Sequence, residues 1–348
     1  MNKTFSIKNI FKHQIAIPLI ALIILCVVNL IMNPAFFMIN IQENAAGNLL
    51  LYGDIMTVLD YGSELALLAI GMTFVTAASG GQDISVGAGV AVAGSAIIRC
   101  VRYPESALPL AIAVLVGIIA AALVGAFNGT LVSVFKIQPM IATLIMFTAG
   151  RSIAAWINNN ELPVIEDPVF GYFGGSIPGC IIPTPILIAI ICFVLVALIL
   201  KFTNLKLYIQ SVGINEKAAR LNGLNPTFIK FITFVILGVF VGIVGFVKVS
   251  RFSTINYSII ANNIEMDAIL AVALGGNALG GGKFSVSASI LGAYVIELLT
   301  QTLYVFDVSS AALPAYKAVV VIALVVSSAP KVREWFGKVF KSKKRGVA

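Results

Sequence analysis

Long, mainly apolar stretches recur along almost the whole chain, and they limit what it can fold into. A helix needs about 20 such residues to cross the hydrocarbon core of a bilayer, and we accept shorter stretches only where glycine marks a break. The ten predicted spans are 15–32, 57–78, 84–99, 107–127, 138–157, 181–200, 231–250, 266–279, 286–306 and 314–330. The sequence therefore predicts an all-α polytopic membrane protein with about ten transmembrane helices, some of them broken or re-entrant.

Charged residues are scarce and unevenly placed. They make up 11% of the chain, against roughly 25% in soluble domains, and 23 basic residues outnumber 15 acidic ones. Most of the basic residues fall on one side if the N-terminus is cytoplasmic, so the positive-inside rule predicts that both termini are cytoplasmic. Because so apolar a chain has little surface for a basic patch, we expect the lipid bilayer as a partner and no nucleic acid.

No linker or low-complexity block divides the chain, so we expect a single integral domain. Residues 1–14 form a cytoplasmic N-terminus, 15–330 form the transmembrane domain with a cytoplasmic loop at 201–230, and the basic segment 331–348 forms a cytoplasmic tail. The tail is expected to contact anionic headgroups or, in the alternative, a specific partner.

Two glycine-rich segments interrupt the apolar pattern. The first, 80–87, reads Gly-Gly-Gln-Asp-Ile-Ser-Val-Gly, and the second covers 275–286. Ser85 and Ser285 occupy similar places in them, which indicates either an old internal duplication or a chance match between short glycine- and alanine-rich segments. Irregular backbone at membrane depth must be buried in protein or line a water-filled cavity, as in the interrupted helices of transporters.

The residue types needed for common catalytic and metal sites are missing from the spans. The one histidine, His13, lies near the N-terminus, which excludes a histidine metal site or a His-based triad inside the membrane. The nearest match to a nucleotide-binding loop, 277–284, has the wrong first and last residues. We therefore expect no catalytic residue, no metal and no cofactor on this chain, so uphill transport would draw energy from another protein or an ion gradient.

Polar residues within the spans are the candidates for a solute pathway. Arg151 and Glu297 are the clearest charged cases, and each either lines the pathway or belongs to a structural ion pair. Neutral polar groups are more common, and such a lining suits a neutral polyol or sugar, which needs hydrogen bonds without a strong fixed charge. The predicted pathway residues are Gln82, Asp83, Ser85, Asn128, Thr143, Arg151, Asn277 and Glu297.

The segment 213–223 has the pattern of a short capped helix. Asn215 can cap it, Glu216 favours the positive end of the helix dipole, and Gly223 stops it. Exposed at the membrane surface, it is either an interfacial helix or a knob that docks into a soluble partner. The candidate docking residues are Gly213, Asn215, Glu216, Ala218, Ala219, Arg220 and Gly223.

Four motifs follow one another across roughly residues 60–330. They are Gly-Gly-x-Asp-x-Ser-Val-Gly at 80–87, Pro-x-x-Ala-Thr-Leu at 139–144 followed by Arg151, Gly-x-Asn-x-x-Ala-Ala-x-x-x-Gly at 213–223, and Asp-Ala-Ile at 267–269 followed by Gly275 and Gly276. Together they resemble the pattern of bacterial ABC-importer permeases of the ribose and galactofuranose, or simple-sugar, group. Gln82 departs from that pattern, since the family usually has an apolar residue there, and this departure would alter the polarity or substrate range of the pathway.

The resemblance implies a complete importer in a bacterial cytoplasmic membrane. It would combine two permease subunits, alike or different, with two cytoplasmic ATPases that hold ATP and Mg²⁺ and an extracytoplasmic sugar-binding protein. Residues 213–223 would couple closure of the ATPases to alternating access for a pentose or hexose, furanose forms included, and this chain would catalyse no covalent reaction. The alternatives are an ion-coupled secondary transporter and an ABC permease for amino acids or nucleosides.

Overall fold

The computed structural model describes residues 15–43, 49–102 and 108–328, and most of these residues are helical. The helices are α1 (Ala16–Met32), α2 (Asp54–Ser79), α3 (Val86–Arg102), α4 (Leu110–Ser133), α5 (Pro139–Ile157), α6 (Pro168–Gly171), α7 (Thr184–Phe202), α8 (Leu205–Ile214), α9 (Glu216–Leu221), α10 (Pro226–Phe252), α11 (Ile264–Leu274), α12 (Val286–Val305) and α13 (Leu313–Ser328). A 3-10 turn (Pro34–Phe37) and the antiparallel strands β1 (Asn40–Glu43) and β2 (Leu49–Tyr52) lie between α1 and α2.

Each of the ten predicted spans falls on a helix. Six of these helices are long and apolar enough to cross a membrane: α2, α4, α5, α7, α10 and α12. The others are shorter, with 17 residues in α1 and α3, 16 in α13 and 11 in α11. The structure is that of a multi-pass membrane protein, whereas the number of ten spans and the cytoplasmic termini stay predictions. The predicted N-terminus 1–14 and tail 331–348 lie outside the described residues.

Helix α2 forms the centre of the fold. Every residue from Gly62 to Ala78 is buried, and the helix packs against α7, α10, α11 and α12. A helix that is covered on all sides belongs to the interior of a bundle. Helix α7 differs, because apolar side chains such as Ile190, Ile191 and Leu195 are exposed along it. This difference places α2 in the protein interior and α7 at its edge.

Small residues allow α4 to approach α10 closely. A Cβ added to Gly125 would lie 2.3 Å from the carbonyl oxygen of Phe234, and one added to Gly238 would lie 2.6 Å from that of Ala121. In lipid, helices associate through such close packing because the hydrophobic effect does not drive them together. Gly125 of α4 and Gly238 of α10 are therefore used for packing within the chain.

An ion-pair network joins the beginning of α2 to the end of α10. Arg251 Nη2 lies 3.0 Å from Asp60 Oδ1 and 2.7 Å from Glu64 Oε1, and Lys248 Nζ lies 2.6 Å from Glu64 Oε2. The Arg251 guanidinium also lies 4.3 Å from the centre of the Tyr61 ring. Because α9 lies beside the beginning of α10, this network marks the opposite end of the bundle from α9.

Candidate functional site

Helix α9 forms at the segment that the sequence predicts as a docking helix. Asn215 Oδ1 accepts a hydrogen bond from the backbone N–H of Ala218 at 3.0 Å, which is the predicted N-cap. Ala219 is buried, whereas Ala218, Arg220 and Gly223 are exposed. Beside them, Leu221 is 89% exposed, so α9 presents a large apolar side chain at its surface.

Glu216 fixes α9 to two neighbouring parts of the bundle. Its Oε2 accepts a hydrogen bond from Lys230 near the start of α10 at 2.6 Å, and its Oε1 accepts one from Lys136 between α4 and α5 at 2.9 Å. The hydrogen bond from Lys230, supported by that from Lys136, lowers the pKa of Glu216 from 4.5 to about 2 although partial burial opposes the shift. The carboxylate is therefore ionised at neutral pH, and α9 is held in place.

A groove of about 460 Å³ separates α8 from α9. Its walls include Leu207, Tyr208 and Ile214 of α8 and Asn222 just after α9. Ile214 is 74% exposed, so the groove has an exposed apolar residue in its wall beside the capped helix. A groove of this kind can receive a side chain from a soluble partner.

The first glycine-rich break is organised by the buried carboxylate of Asp83. Its Oδ1 accepts hydrogen bonds from the backbone N–H of Ser85 at 2.8 Å and from the Ser85 hydroxyl at 2.6 Å. Asn128 Nδ2 of α4 donates to Asp83 Oδ2 at 3.2 Å and to Ser85 Oγ at 2.8 Å, and Thr143 Oγ1 of α5 accepts from the backbone N–H of Ile84 at 3.1 Å. Four predicted pathway residues thus form one buried cluster that fixes the start of α3.

The second break has a similar arrangement around Asn277. Its Oδ1 accepts from the backbone N–H of Ser285 at 2.7 Å, and its Nδ2 donates to Ser289 Oγ at 2.7 Å. Thr73 of α2 donates to the same Ser289 hydroxyl at 2.7 Å. In both breaks a polar side chain accepts a hydrogen bond from the backbone N–H of the serine that precedes the next helix. The matching positions of Ser85 and Ser285 therefore have a shared structural role.

Gln82 connects the two breaks. Its Nε2 donates a hydrogen bond to the carbonyl oxygen of Leu279 at 3.0 Å, and the side chain is buried. Gln82 directly precedes Asp83 of the first cluster, and Leu279 follows Asn277 of the second by two residues. The structure therefore brings six of the eight predicted pathway residues into the neighbourhood of the breaks.

Arg151 and Glu297 do not belong to the hydrogen-bonded clusters of the two breaks. Arg151 Nη1 donates to the carbonyl oxygens of Tyr257, Ser258 and Ile260 at 2.9, 3.2 and 3.1 Å, and so holds the connection between α10 and α11. Glu297 makes no hydrogen bond or salt bridge within the described part of the chain. The two residues do not form an ion pair with each other there, so they act separately.

Glu297 lines a cavity of about 520 Å³ at the end of the bundle opposite α9. The Asp267–Lys317 ion pair, with a 2.8 Å Nζ–Oδ2 distance, forms part of the wall, and so does the Glu64–Lys248 pair. The wall also contains apolar side chains, together with neutral polar side chains that can hydrogen-bond a solute. These polar residues are Tyr61, Thr254, Asn256, Asn262 and Thr300. Its size and mixed lining are typical of small-molecule sites.

Lys248 and Lys317 are cavity residues that were not predicted from the sequence. Both lie inside predicted spans, and a basic residue there is costly unless it has a partner or a polar cavity. The cost of a basic residue inside a span was the sequence signal that could have identified both lysines. Asp267, the partner of Lys317, belongs to the Asp-Ala-Ile motif. Across the described residues, no group of three or more His, Cys, Asp or Glu side chains is arranged to hold a metal ion.

Comparisons of the sequence with protein families and with known proteins agree that the chain resembles transport permeases. Residues 55–329 match the family described as branched-chain amino acid transport system / permease component. The fructose import permease protein FruF of Bifidobacterium longum is 33% identical over 94% of this chain and 90% of its own length. The galactofuranose transporter permease protein YtfT of Escherichia coli is 34% identical over 92% of this chain and 91% of its own.

The ribose import permease protein RbsC of Escherichia coli is 33% identical over 88% of this chain and 91% of its own length. No solved structure matches the chain. The four motifs found in the sequence all lie within the matched region, and the helices that carry them pack in one bundle. The chain therefore belongs to the permease family that includes the ribose, galactofuranose and fructose ABC importer permeases.

Proposed function

We propose that the chain is the membrane-spanning subunit of an ABC importer that translocates a simple sugar by ATP-driven alternating access. The observation that carries this proposal is the capped helix α9, fixed to the bundle by Glu216 yet exposing Leu221. A helix fixed by these ion pairs can transmit a movement of a soluble partner to the rest of the bundle. The relatives named above are sugar import permeases, which supports a sugar as the solute.

The proposed partners follow from the two ends of the bundle. A cytoplasmic ATPase subunit, which binds ATP and Mg²⁺, would dock at α9 and the groove beside it, while this chain would bind no cofactor. A sugar-binding protein would deliver the solute at the opposite end, and a second permease subunit would complete the pathway. This arrangement requires a bacterial cytoplasmic membrane with α9 and both termini on the cytoplasmic side.

We propose different roles for the predicted pathway residues. Glu297 lines the cavity at the delivery end, where its carboxylate can accept hydrogen bonds from sugar hydroxyls. Asp83, Asn128 and Asn277 instead hold the broken helices that flank the pathway, because their polar atoms bond to other parts of the chain. The sugar would then meet the surfaces that these clusters position.

The test is uptake by proteoliposomes that contain the permease, its ATPase and its binding protein. We expect at least one of labelled ribose, fructose and galactose to accumulate only with ATP and the binding protein. Uptake that survives ATP depletion but collapses with an ion gradient would establish a secondary transporter instead. Accumulation of amino acids or nucleosides, with none of the sugars, would overturn the substrate class while keeping the ABC importer.

A further inference from the structure

Three backbone segments meet beside α9 with almost no side chains between them. We call this contact the glycine junction, and it consists of residues 77–82, 213–214 and 279–282. Gly213, in the last turn of α8, lies against the carbonyl of Ala77. A Cβ added to Gly213 would lie 1.8 Å from Ala77 O and 2.7 Å from Gly282 N. Any side chain at position 213 would therefore displace both α2 and the second break.

A backbone hydrogen bond joins α2 to the second break at the same point. The N–H of Gly282 donates to the carbonyl oxygen of Ala77 at 2.9 Å. Ala77 lies in the last turn of α2, where carbonyl groups lack a partner further along the helix. The second break thus supplies the partner for the end of the helix that leads into the first break.

The remaining glycines bring the breaks into direct contact. Gly80 has a φ of +66°, and an added Cβ would lie 2.9 Å from the carbonyl oxygen of Gly280. Gly281 has a φ of +95°, and its added Cβ would lie 3.1 Å from Gly213 O and 3.2 Å from Gly80 Cα. Both the close approach and the left-handed backbone require glycine. Gln82 adds the hydrogen bond to Leu279 described above.

The junction is close in sequence to the surface proposed for the ATPase. Only Ile214 separates Gly213 from Asn215, the cap of α9. On the other side, α12 begins at Val286, four residues after Gly282, and runs for 20 residues to Val305, with Glu297 in its second half. A helix of this length is about 30 Å long. The chain of contacts therefore reaches from the α9 surface to the cavity at the opposite end.

We propose that the glycine junction transmits a movement of α9 to both broken helices at once. This inference rests on the proposed function, because it assigns the route by which an ATPase bound at α9 opens and closes the pathway. Packed backbone compresses little, so a shift of α8 moves the end of α2 and the second break together. Gly213, Gly282 and Gln82 are then positioning residues that act on the pathway without touching the sugar.

The main test compares Gly213→Ala with Gly280→Ala in the reconstituted importer. The Cβ of Gly213→Ala clashes with Ala77, whereas a Cβ on Gly280 meets no heavy atom of the described residues within 4 Å. We expect Gly213→Ala to keep ATP hydrolysis while the sugar moved per ATP falls roughly 2- to 30-fold, the range found for coupling residues. Gly280→Ala should keep the wild-type ratio. A wild-type ratio in a folded Gly213→Ala importer would overturn the proposal.

Gln82→Leu provides a second variant if Gly213→Ala does not accumulate in the membrane. It removes the hydrogen bond to Leu279 and adds no bulk. We expect the sugar moved per ATP to fall at least roughly 2-fold. An unchanged ratio in Gln82→Leu would contradict transmission through the junction.

Hydrogen exchange at the Gly282 amide separates this inference from the proposed function. It is measured on the permease alone and needs no transport. We expect faster exchange in Gly213→Ala than in wild type, and wild-type exchange in Gly280→Ala, because only the first variant strains the bond to Ala77. Equal exchange in all three proteins would overturn the junction, whereas ATP-independent uptake by the wild type would overturn the proposed function.

Discussion

Asp83 and Glu297 are both acids at predicted pathway positions, yet the structure predicts opposite phenotypes for them. Replacing Asp83 by alanine removes three hydrogen bonds, from the Ser85 amide, the Ser85 hydroxyl and Asn128 Nδ2. At about 1 kcal/mol for each bond, Asp83→Ala should lower the free energy of unfolding by about 3 kcal/mol. Asp83→Asn keeps an Oδ1 acceptor for Ser85 and should cost about 1 kcal/mol.

The assay is thermal unfolding of the purified permease in detergent, followed by a dye that reacts with its four partly buried cysteines. We expect a Tm that falls by about 5 °C for Asp83→Ala and by less for Asp83→Asn. Glu297→Gln is the control, because Glu297 has no hydrogen bond to lose among the described residues. Its Tm should match the wild type while its sugar uptake changes.

The result that would refute this reasoning is specific. A wild-type Tm for Asp83→Ala, together with altered sugar uptake, would mean that the carboxylate faces solute and does not hold α3. A large loss of Tm in Glu297→Gln would mean that this carboxylate supports the bundle. Either result would contradict the role assigned to that acid.

Three further predictions concern α9 and the packing of α4. Asn215→Ala loses the bond to the Ala218 amide and should destabilise α9 by about 1 kcal/mol, which a weaker affinity for the ATPase in a binding titration would reveal. The folded-state pKa of Glu216 is about 2 and its ordinary value is 4.5, so its ion pairs contribute fully above pH 4.5 and are lost as the pH falls toward 2. Proteolysis of the α8–α9 segment should therefore rise over that range in the wild type and be independent of pH there in Glu216→Gln. Gly125→Ala brings a Cβ against Phe234 O and should cost about 1–3 kcal/mol in thermal unfolding, because α4 and α10 must separate.

Features set by neighbouring residues were the ones that the sequence predicted well. The cap at Asn215 and the end of α9 near Gly223 depend on a few consecutive residues, and the structure has both. The helix positions follow from the apolar stretches, because an apolar stretch indicates that the helix is surrounded by lipid or protein and not by water. The same information could not count the spans that cross the membrane, because α3 and α11 are short helices beside breaks.

Features set by distant residues could not be read from the sequence. Asp83 meets Asn128 after 45 residues, and Gln82 meets Leu279 after 197 residues. A polar residue near a glycine-rich break indicates either a pathway or an internal hydrogen bond, and only the position of the partner decides between them. Gly213 was predicted as a surface residue of the docking segment, but the fold turns it toward Ala77.

The ion-pair network between α2 and α10 also has a consequence for synthesis. Glu64 in α2 is paired with Arg251, which follows it by 187 residues. At 5–20 residues per second, a ribosome needs about 10–40 s to supply that partner. A carboxylate without its partner costs about 2.5–3.5 kcal/mol in the middle of a membrane, which is an upper value for Glu64 because its network lies toward one end of the bundle. The newly made α2 therefore carries an unpaired acid until α10 arrives, so its insertion is completed energetically only when the second half of the chain has been made.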